Sequence, residues 1–500
     1  PDIPSNLKNT NNSAEYVIIT SQEFADNEGT ILLKDTWNEN GLNTKIVTVE
    51  DVFDEFNHGI RSAEAIKEFI EFAYNNWLQP RLKYVLFLGD GISDERDNSS
   101  NRSKNIIPYK NIWSFKHGVM SSDNWFGCIV GDDYVSDVQI GRINVWKEEQ
   151  IMPVVEKTLS YLSSENVSEL WQSKVTYAAG GKDDDPYAIF AEDSEDLREI
   201  IPKKYLVNRI YTATNAEEVP NIYQGGTFDL KDAIDDGTLF LQFLGHGGGR
   251  IWADYNLFNF SDVRTLNNDV YPIISSMSCF GSAFDSPGAE CMGEALVLEP
   301  EKGGIGHIGF TGLGYIEGDK LFSIYLTEAI FELGITNISN ALAYTKAQFY
   351  SSYPENYLLN YFEKSKRALT QGCAYLGDPA INIKLPQIEK FPQLDNYIAN
   401  EGDTVNVSLE LDDSYIEGEI YILDEYEMSV PDFFTYPQPV VNNLLTAQYV
   451  IPESEQEFYK RDIKIYAHNG TKQLTALSSF TVAKSNVVDL ETIPNEITED

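Results

Sequence analysis

Two short segments near the middle of the chain carry side chains capable of covalent chemistry. Leu244-Gly245-His246-Gly247-Gly248 and Ile274-Ser275-Ser276-Met277-Ser278-Cys279 are apolar runs that end in a histidine and a cysteine, 33 positions apart. That spacing is about one helix or long loop plus one strand. A free thiol is only slightly ionised at neutral pH, and an adjacent imidazole both takes its proton and stabilises the thiolate. Thiolate attack on a carbonyl carbon gives an acyl-enzyme through a tetrahedral oxyanion that needs N–H donors. Gly247, lacking a β-carbon, is able to bring a backbone N–H close, and the Cys279 N–H is the second candidate. Taken singly, a buried cysteine is usually a small hydrophobe. A histidine between glycines and a cysteine after a serine, each ending an apolar run, point instead to a Cys279–His246 pair, as in a cysteine–histidine peptidase. The other histidines are weaker candidates: His58 and His117 lie far upstream, His468 far downstream, and His307 sits inside a strand pattern that suits core packing.

For the pair to meet, neighbouring parallel strands must end at the same sheet edge, where ligand sites of open α/β sheets form. The pattern supplies such strands. Tyr16 to Ile19, Thr44 to Val49, Tyr84 to Leu88 and Val138 to Arg142 read as strands, separated by helices over Ile31 to Asn40 and Ala63 to Trp77 and closed by one from Glu148 to Ser163. A second series follows: Val175 to Ala179, Val207 to Tyr211, Thr238 to Gly245, Pro272 to Cys279 and Ile305 to Gly309. Helices over Ser194 to Ile201, Ala289 to Leu298, Lys320 to Leu333 and Ile338 to Tyr350 fill the gaps, and Ile381 to Leu385 reads as a final edge strand. Strands alternating with helices of this length indicate an α/β, doubly wound parallel sheet. After Pro386 the texture changes to short strands with period-2 alternation, Val405 to Leu411, Glu419 to Leu423 and Ile463 to Ala467, as in a β-sandwich. The expected organisation is a lead-in over 1–14, a first α/β subdomain over 15–165, a second over 166–385, a sandwich over 386–486 and an acidic tail over 487–500.

The formal net charge is −41, from 78 acidic and 37 basic side chains. Nucleic-acid binding requires a basic footprint and is excluded on this ground. The charge favours solubility and attraction of basic partners or cations, and adaptation to a salty habitat accounts for it equally well. No stretch approaches the ~20 apolar residues of a membrane helix, so no membrane span is expected. The first residue is proline and no signal-peptide pattern is visible in the sequence, which reads as a mature form or one whose targeting segment has been removed. Cys128, Cys279, Cys291 and Cys373 are too few and scattered for a disulfide framework, and no CxxC pair suggests zinc.

The run Leu244 to Gly248, then Trp252-Ala253-Asp254, then Tyr271-Pro272-Ile273-Ile274 leading to Ser278-Cys279-Phe280, resembles the catalytic core of the gingipain family of bacterial cysteine endopeptidases. Glu294-Ala295-Leu296, Gly303-Gly304-Ile305-Gly306, Gly131-Asp132-Asp133 with Ile140-Gly141-Arg142, and Gly377-Asp378-Pro379-Ala380 extend the resemblance over roughly residues 15–385. It implies a caspase-like parallel-sheet catalytic domain in two subdomains, followed by an immunoglobulin-like β-sandwich. It also implies a protein or peptide substrate, a secreted or cell-surface location in a bacterium, His246 as general base, Cys279 as nucleophile, and Gly247 and Cys279 N–H groups as the oxyanion hole. One departure stands out. Some relatives place an acid before a Gly-Gly pair to orient the histidine, and here that position is Ala179, before Gly180-Gly181, with Asp183, Asp184 and Asp185 following.

Relatives that cut after Arg or Lys line the first specificity pocket with a carboxylate. Asp319 and Asp254 are the candidates for a basic P1 preference, although Asp319 also reads as the N-cap of the helix after it. Catalysis of this kind requires no cofactor. The family's structural calcium directs attention to Asp123, Asp132, Asp133 and Asp137, and to Asp90, Asp94, Glu95 and Asp97, as oxygen ligands. Solvated charge on so acidic a chain is the plainer explanation, and no spacing matches an EF-hand loop. Two further readings keep the fold: a sortase-like transpeptidase of a secretion system, and a non-catalytic protease-like binding scaffold.

Overall fold

The computed structural model describes residues 5–94, 96, 98, 105–131, 133–163, 169–180, 189–212, 225–253, 257–352, 361–386, 388–424, 433–453, 458–469 and 473–483. Two compact units emerge. The first comprises residues 1–165, 174–202 and 209–384, and the second 166–173, 203–208 and 385–500.

Up to residue 384 the strands are β1 (Tyr16–Thr20), β2 (Thr44–Thr48), β3 (Tyr84–Leu88), β4 (Lys110–Ser114), β5 (Gly118–Ser122), β6 (Gln139–Ile143), β7 (Lys174–Gly180), β8 (Leu206–Tyr211), β9 (Phe240–Gly245), β10 (Ile251–Trp252), β11 (Phe258–Asn259), β12 (Ile273–Met277), β13 (Gly306–Phe310) and β14 (Cys373–Gly377). Among the described residues ten of them form one sheet in the order β2-β1-β3-β6-β14-β13-β12-β9-β7-β8. Strands β1, β9 and β12 are buried at every position, as expected where helices cover both faces of a parallel sheet.

The sheet differs from the parallel expectation at one seam. β14 pairs antiparallel with β13, starting with Cys373 opposite Phe310, and parallel with β6. The strands from β2 to β14 and those from β13 to β7 therefore form two parallel runs in opposite directions. The helix Tyr361–Gly372 feeds straight into β14, so no turn residue marks the strand's start. Ile381 to Leu385, expected as an edge strand, has only a single bridge, Asn337 to Asn382. Its apolar residues Ile381 and Ile383 are buried in a short connection, which produces the alternation without the ladder. The remaining expected strands of this unit are found within one or two residues of their expected ends.

In the second unit Thr404–Glu410 and Leu444–Val450 pair antiparallel, with Gln393–Leu394 at the edge. A larger sheet centres on Phe458–His468, flanked by Glu417–Asp424 and Gln473–Ala483. Val405, Val407 and Leu409 from one sheet and Ile420, Ile463 and Ile465 from the other share a core. Strict alternation of buried and exposed positions along Thr404–Glu410 follows from one face packing inward and the other meeting water.

Candidate active site

β9 and β12 are parallel neighbours in the register Ile273↔Phe240 through Met277↔Leu244. Each ladder pair differs by 33 positions, the same separation as His246 and Cys279. Both side chains therefore leave the same edge of the sheet, one residue past the end of β9 and two past the end of β12. Period and register together bring them into one place.

Local hydrogen bonds fix the two loops. The His246 N–H donates to Gly180 O (3.1 Å) at the end of β7, and His246 O accepts from the Ala253 N–H (2.7 Å). Gly248 N–H donates to Ile251 O, and Gly247 bridges Trp252, so the ladder uses the N–H groups on either side and leaves the Gly247 N–H outside it. Behind this turn Trp252 stacks on Phe243 at 4.8 Å and is buried. Its burial contributes about 1.5–3 kcal/mol toward holding the loop. A β-carbon on Gly247 would fall 2.5 Å from Ser278 Oγ and 2.8 Å from Ser278 Cβ, so the histidine loop lies directly on the cysteine loop and only glycine fits. The Phe190 ring meets the His246 imidazole edge-on at 5.1 Å.

Cys279 is half-buried and forms no disulfide. Burial pushes its pKa up, a hydrogen bond from the Gly314 N–H pulls it down, and the nearby Asp319 charge raises it. Burial and that charge together favour the protonated thiol. Phe280, the next residue, has φ +62°, a conformation that a bulky residue adopts only when its surroundings hold it. Here the Phe280 N–H donates to Gly312 O (2.8 Å), and the His117 ring packs edge-on against Phe280 at 4.8 Å. The β4–β5 hairpin thus reaches the Cys279 loop through its tip, where Phe115 also stacks on Tyr315.

Residues 9–384 match the model of peptidase family C25. The chain belongs to that family. Gingipain R2 of Porphyromonas gingivalis is 25% identical to this C25 chain over 300 residues, covering 58% of the chain and 35% of that protein. Lys-gingipain of the same organism is 22% identical over 271 residues, covering 54% of the chain and 14% of that protein. The match therefore spans about a third or less of the length of these curated relatives. Among solved structures, the Arg specific cysteine proteinase gingipain R superposes with a TM-score of 0.57 at 18% identity, covering 94% of this chain and 98% of that one. The complex of Porphyromonas gingivalis RgpB pro- and mature domains gives 0.56 at 18% identity, covering 94% and 100%. These likenesses show the fold, a large mixed α/β sheet of the caspase-like kind.

Of the other candidates in the C25 chain, Asp319 lies near enough to Cys279 to raise its pKa. Asp319 does not cap a helix starting at Lys320, because the helix begins at Ile316 and places Asp319 inside its first turn. Its carboxyl is 4% exposed and accepts the Tyr315 N–H at 2.8 Å. Asp254, Asp183, Asp184 and Asp185 lie outside the described residues. Ala179 is buried in β7, opposite Leu244, and offers the histidine no polar group.

Among the calcium candidates, Asp123, Asp133 and Asp137 already hold protein partners. Asp123 takes the buried Arg142 guanidinium on both oxygens, at 2.6 and 2.8 Å. Asp137 Oδ2 accepts the Ile129 and Val130 N–H groups, and Asp133 Oδ1 accepts that of Val135. Asp132, Glu95 and Asp97 are outside the described residues, and among those described no group of three or more His, Cys, Asp or Glu gathers for a metal. No helix among the described residues is long and apolar enough to cross a membrane.

Two participants are absent from the sequence-based list. Phe190 carried no signal. Gly314 carried a usable one, since Gly312-Leu313-Gly314 just past a strand end marks a close backbone approach.

Proposed function

We propose that this chain is a cysteine endopeptidase working through a Cys279–His246 dyad, with no cofactor taking part in bond cleavage. The observation that carries the reading is the β9–β12 register, which delivers imidazole and thiol to one sheet edge. His246 removes the thiol proton as Cys279 Sγ attacks the scissile carbonyl. The Gly247 and Cys279 N–H groups receive the oxyanion, and collapse expels the amine with the proton held by His246. Water, deprotonated by His246, then hydrolyses the thioester and restores both residues. No acid is assigned to orient the imidazole, and orientation is only part of the catalysis a dyad supplies.

A basic P1 residue fits this chain's charge of −41 and the Arg- and Lys-directed names of its relatives, with Asp254 as the candidate contact. Family membership supports a secreted or cell-surface location in a bacterium, and the shared two-sheet core of the second unit supports an immunoglobulin-like β-sandwich.

Fluorogenic peptides with Arg, Lys, Ala or Phe at P1, with and without a primary-amine acceptor, test the reading. Hydrolysis after Arg or Lys that disappears in Cys279→Ala is expected. Product dominated by amine transfer would favour the transpeptidase, and no turnover of any peptide would favour the binding scaffold.

A further inference from the structure

We propose that Asp319 is a positioning residue for the nucleophile, its carboxylate fixing the Gly312–Tyr315 loop so that the Gly314 N–H faces Cys279 Sγ. The proposal rests on Cys279 being the nucleophile. The helix Ile316–Thr327 has Tyr315 as its N-cap, a residue whose side chain makes no capping bond. Asp319 supplies the cap from within the helix: the Tyr315 N–H donates to Oδ1 (2.8 Å), and the Asp319 N–H donates back to Tyr315 O (2.8 Å). The other oxygen, Oδ2, occupies the space that a β-carbon on Gly314 would need, so the carboxylate sets the path of the loop at residue 314. That loop touches the Cys279 turn through Gly312 O on the Phe280 N–H, and its Gly314 backbone draws the Cys279 pKa down.

A carboxylate this enclosed is costly to ionise, and burial raises its pKa to about 7. The titratable groups facing it are the thiols of Cys279 on the β12 side and Cys373 on β14, with the Lys346 ammonium beyond Cys373. Two opposite influences thus reach Cys279. The aimed N–H favours the thiolate, and the Asp319 charge disfavours it. An isolated structural cap would have no such signature.

The test is the pH profile of Cys279 alkylation by iodoacetamide in the full chain, quantified on the Cys279 peptide by mass spectrometry, with Cys279→Ala as the blank. Asp319→Ala loses the cap and with it the aimed N–H, and is expected to slow alkylation at pH 7 on the order of tenfold and move the profile to higher pH. Asp319→Asn keeps an oxygen for the Tyr315 N–H without the charge, and its profile is expected to move to lower pH. Shifts in the same direction, or two profiles matching the parent, would overturn the proposal. Where Asp319→Ala does not fold, the Asn variant decides alone, an unchanged profile overturning it. A parent Cys279 that alkylates no faster than the half-buried Cys128 would instead remove the nucleophile reading itself.

Discussion

Cys279 stands opposite His246 when the β9–β12 register is carried two residues past its last pair, Met277 with Leu244. The relationship makes the chemistry a property of strand pairing. Any change that shifts one strand by a residue, or lifts one loop off the other, separates the proposed acid–base group from the proposed nucleophile without touching either.

Gly247 is the point where the loops meet. Gly247→Ala would place a methyl group 2.5 Å from Ser278 Oγ, and one loop must move. A displacement near 1 Å at reacting atoms costs on the order of 100-fold in rate. The expected outcome is that loss in kcat/KM with circular dichroism and gel filtration unchanged, and parental activity would show that the loops are not in contact.

His307 should make the fold acid-sensitive. It is fully buried in β13, its Nδ1 pairs with Ser282 Oγ at 2.9 Å, and burial lowers its pKa from 6.5 to about 3. A folded-state value below the unfolded one means that the neutral form is stabilised. That contribution is complete above about pH 6.5 and is lost as pH falls toward 3. By pH 4.5 the loss is about 2–3 kcal/mol. Urea titrations of the parent and His307→Asn from pH 7 to 4.5 should show the parent losing more stability, and parallel curves would contradict the assignment.

Asp123 is expected to matter through Arg142 and not through a metal. Asp123→Ala leaves a buried guanidinium without its counter-charge, a change that costs about 3–5 kcal/mol. Its effect on Tm should be the same with calcium and with a chelator present. A gap that closes on chelation would return Asp123 to the calcium ligands.

The proposed dyad is legible in the sequence because each member ends an apolar run, His246 between two glycines and Cys279 after Ser278, and equal spacing along the two runs encodes the register. Tyr84–Leu88 is legible to the residue, being five apolar positions bounded by Lys83 and Gly89. β14 is not, since Gly372 and Cys373 join helix to strand without a turn signal. The β4–β5 hairpin is hidden for another reason: Asn111 and Trp113 face outward, so the segment lacks clean alternation of apolar and polar residues. Asp319 is misread because a carboxylate reaching back from the fourth helical position looks, in sequence, like an N-cap for a helix starting one residue later.

The central claim is tested most directly by an irreversible thiol-reactive peptide probe with Arg at P1, applied to the full chain and to Cys279→Ala and His246→Ala. Labelling mapped by mass spectrometry to Cys279, abolished in Cys279→Ala and strongly slowed in His246→Ala, is the expected result. Labelling that persists in Cys279→Ala, or proceeds at the parental rate without His246, would contradict the dyad.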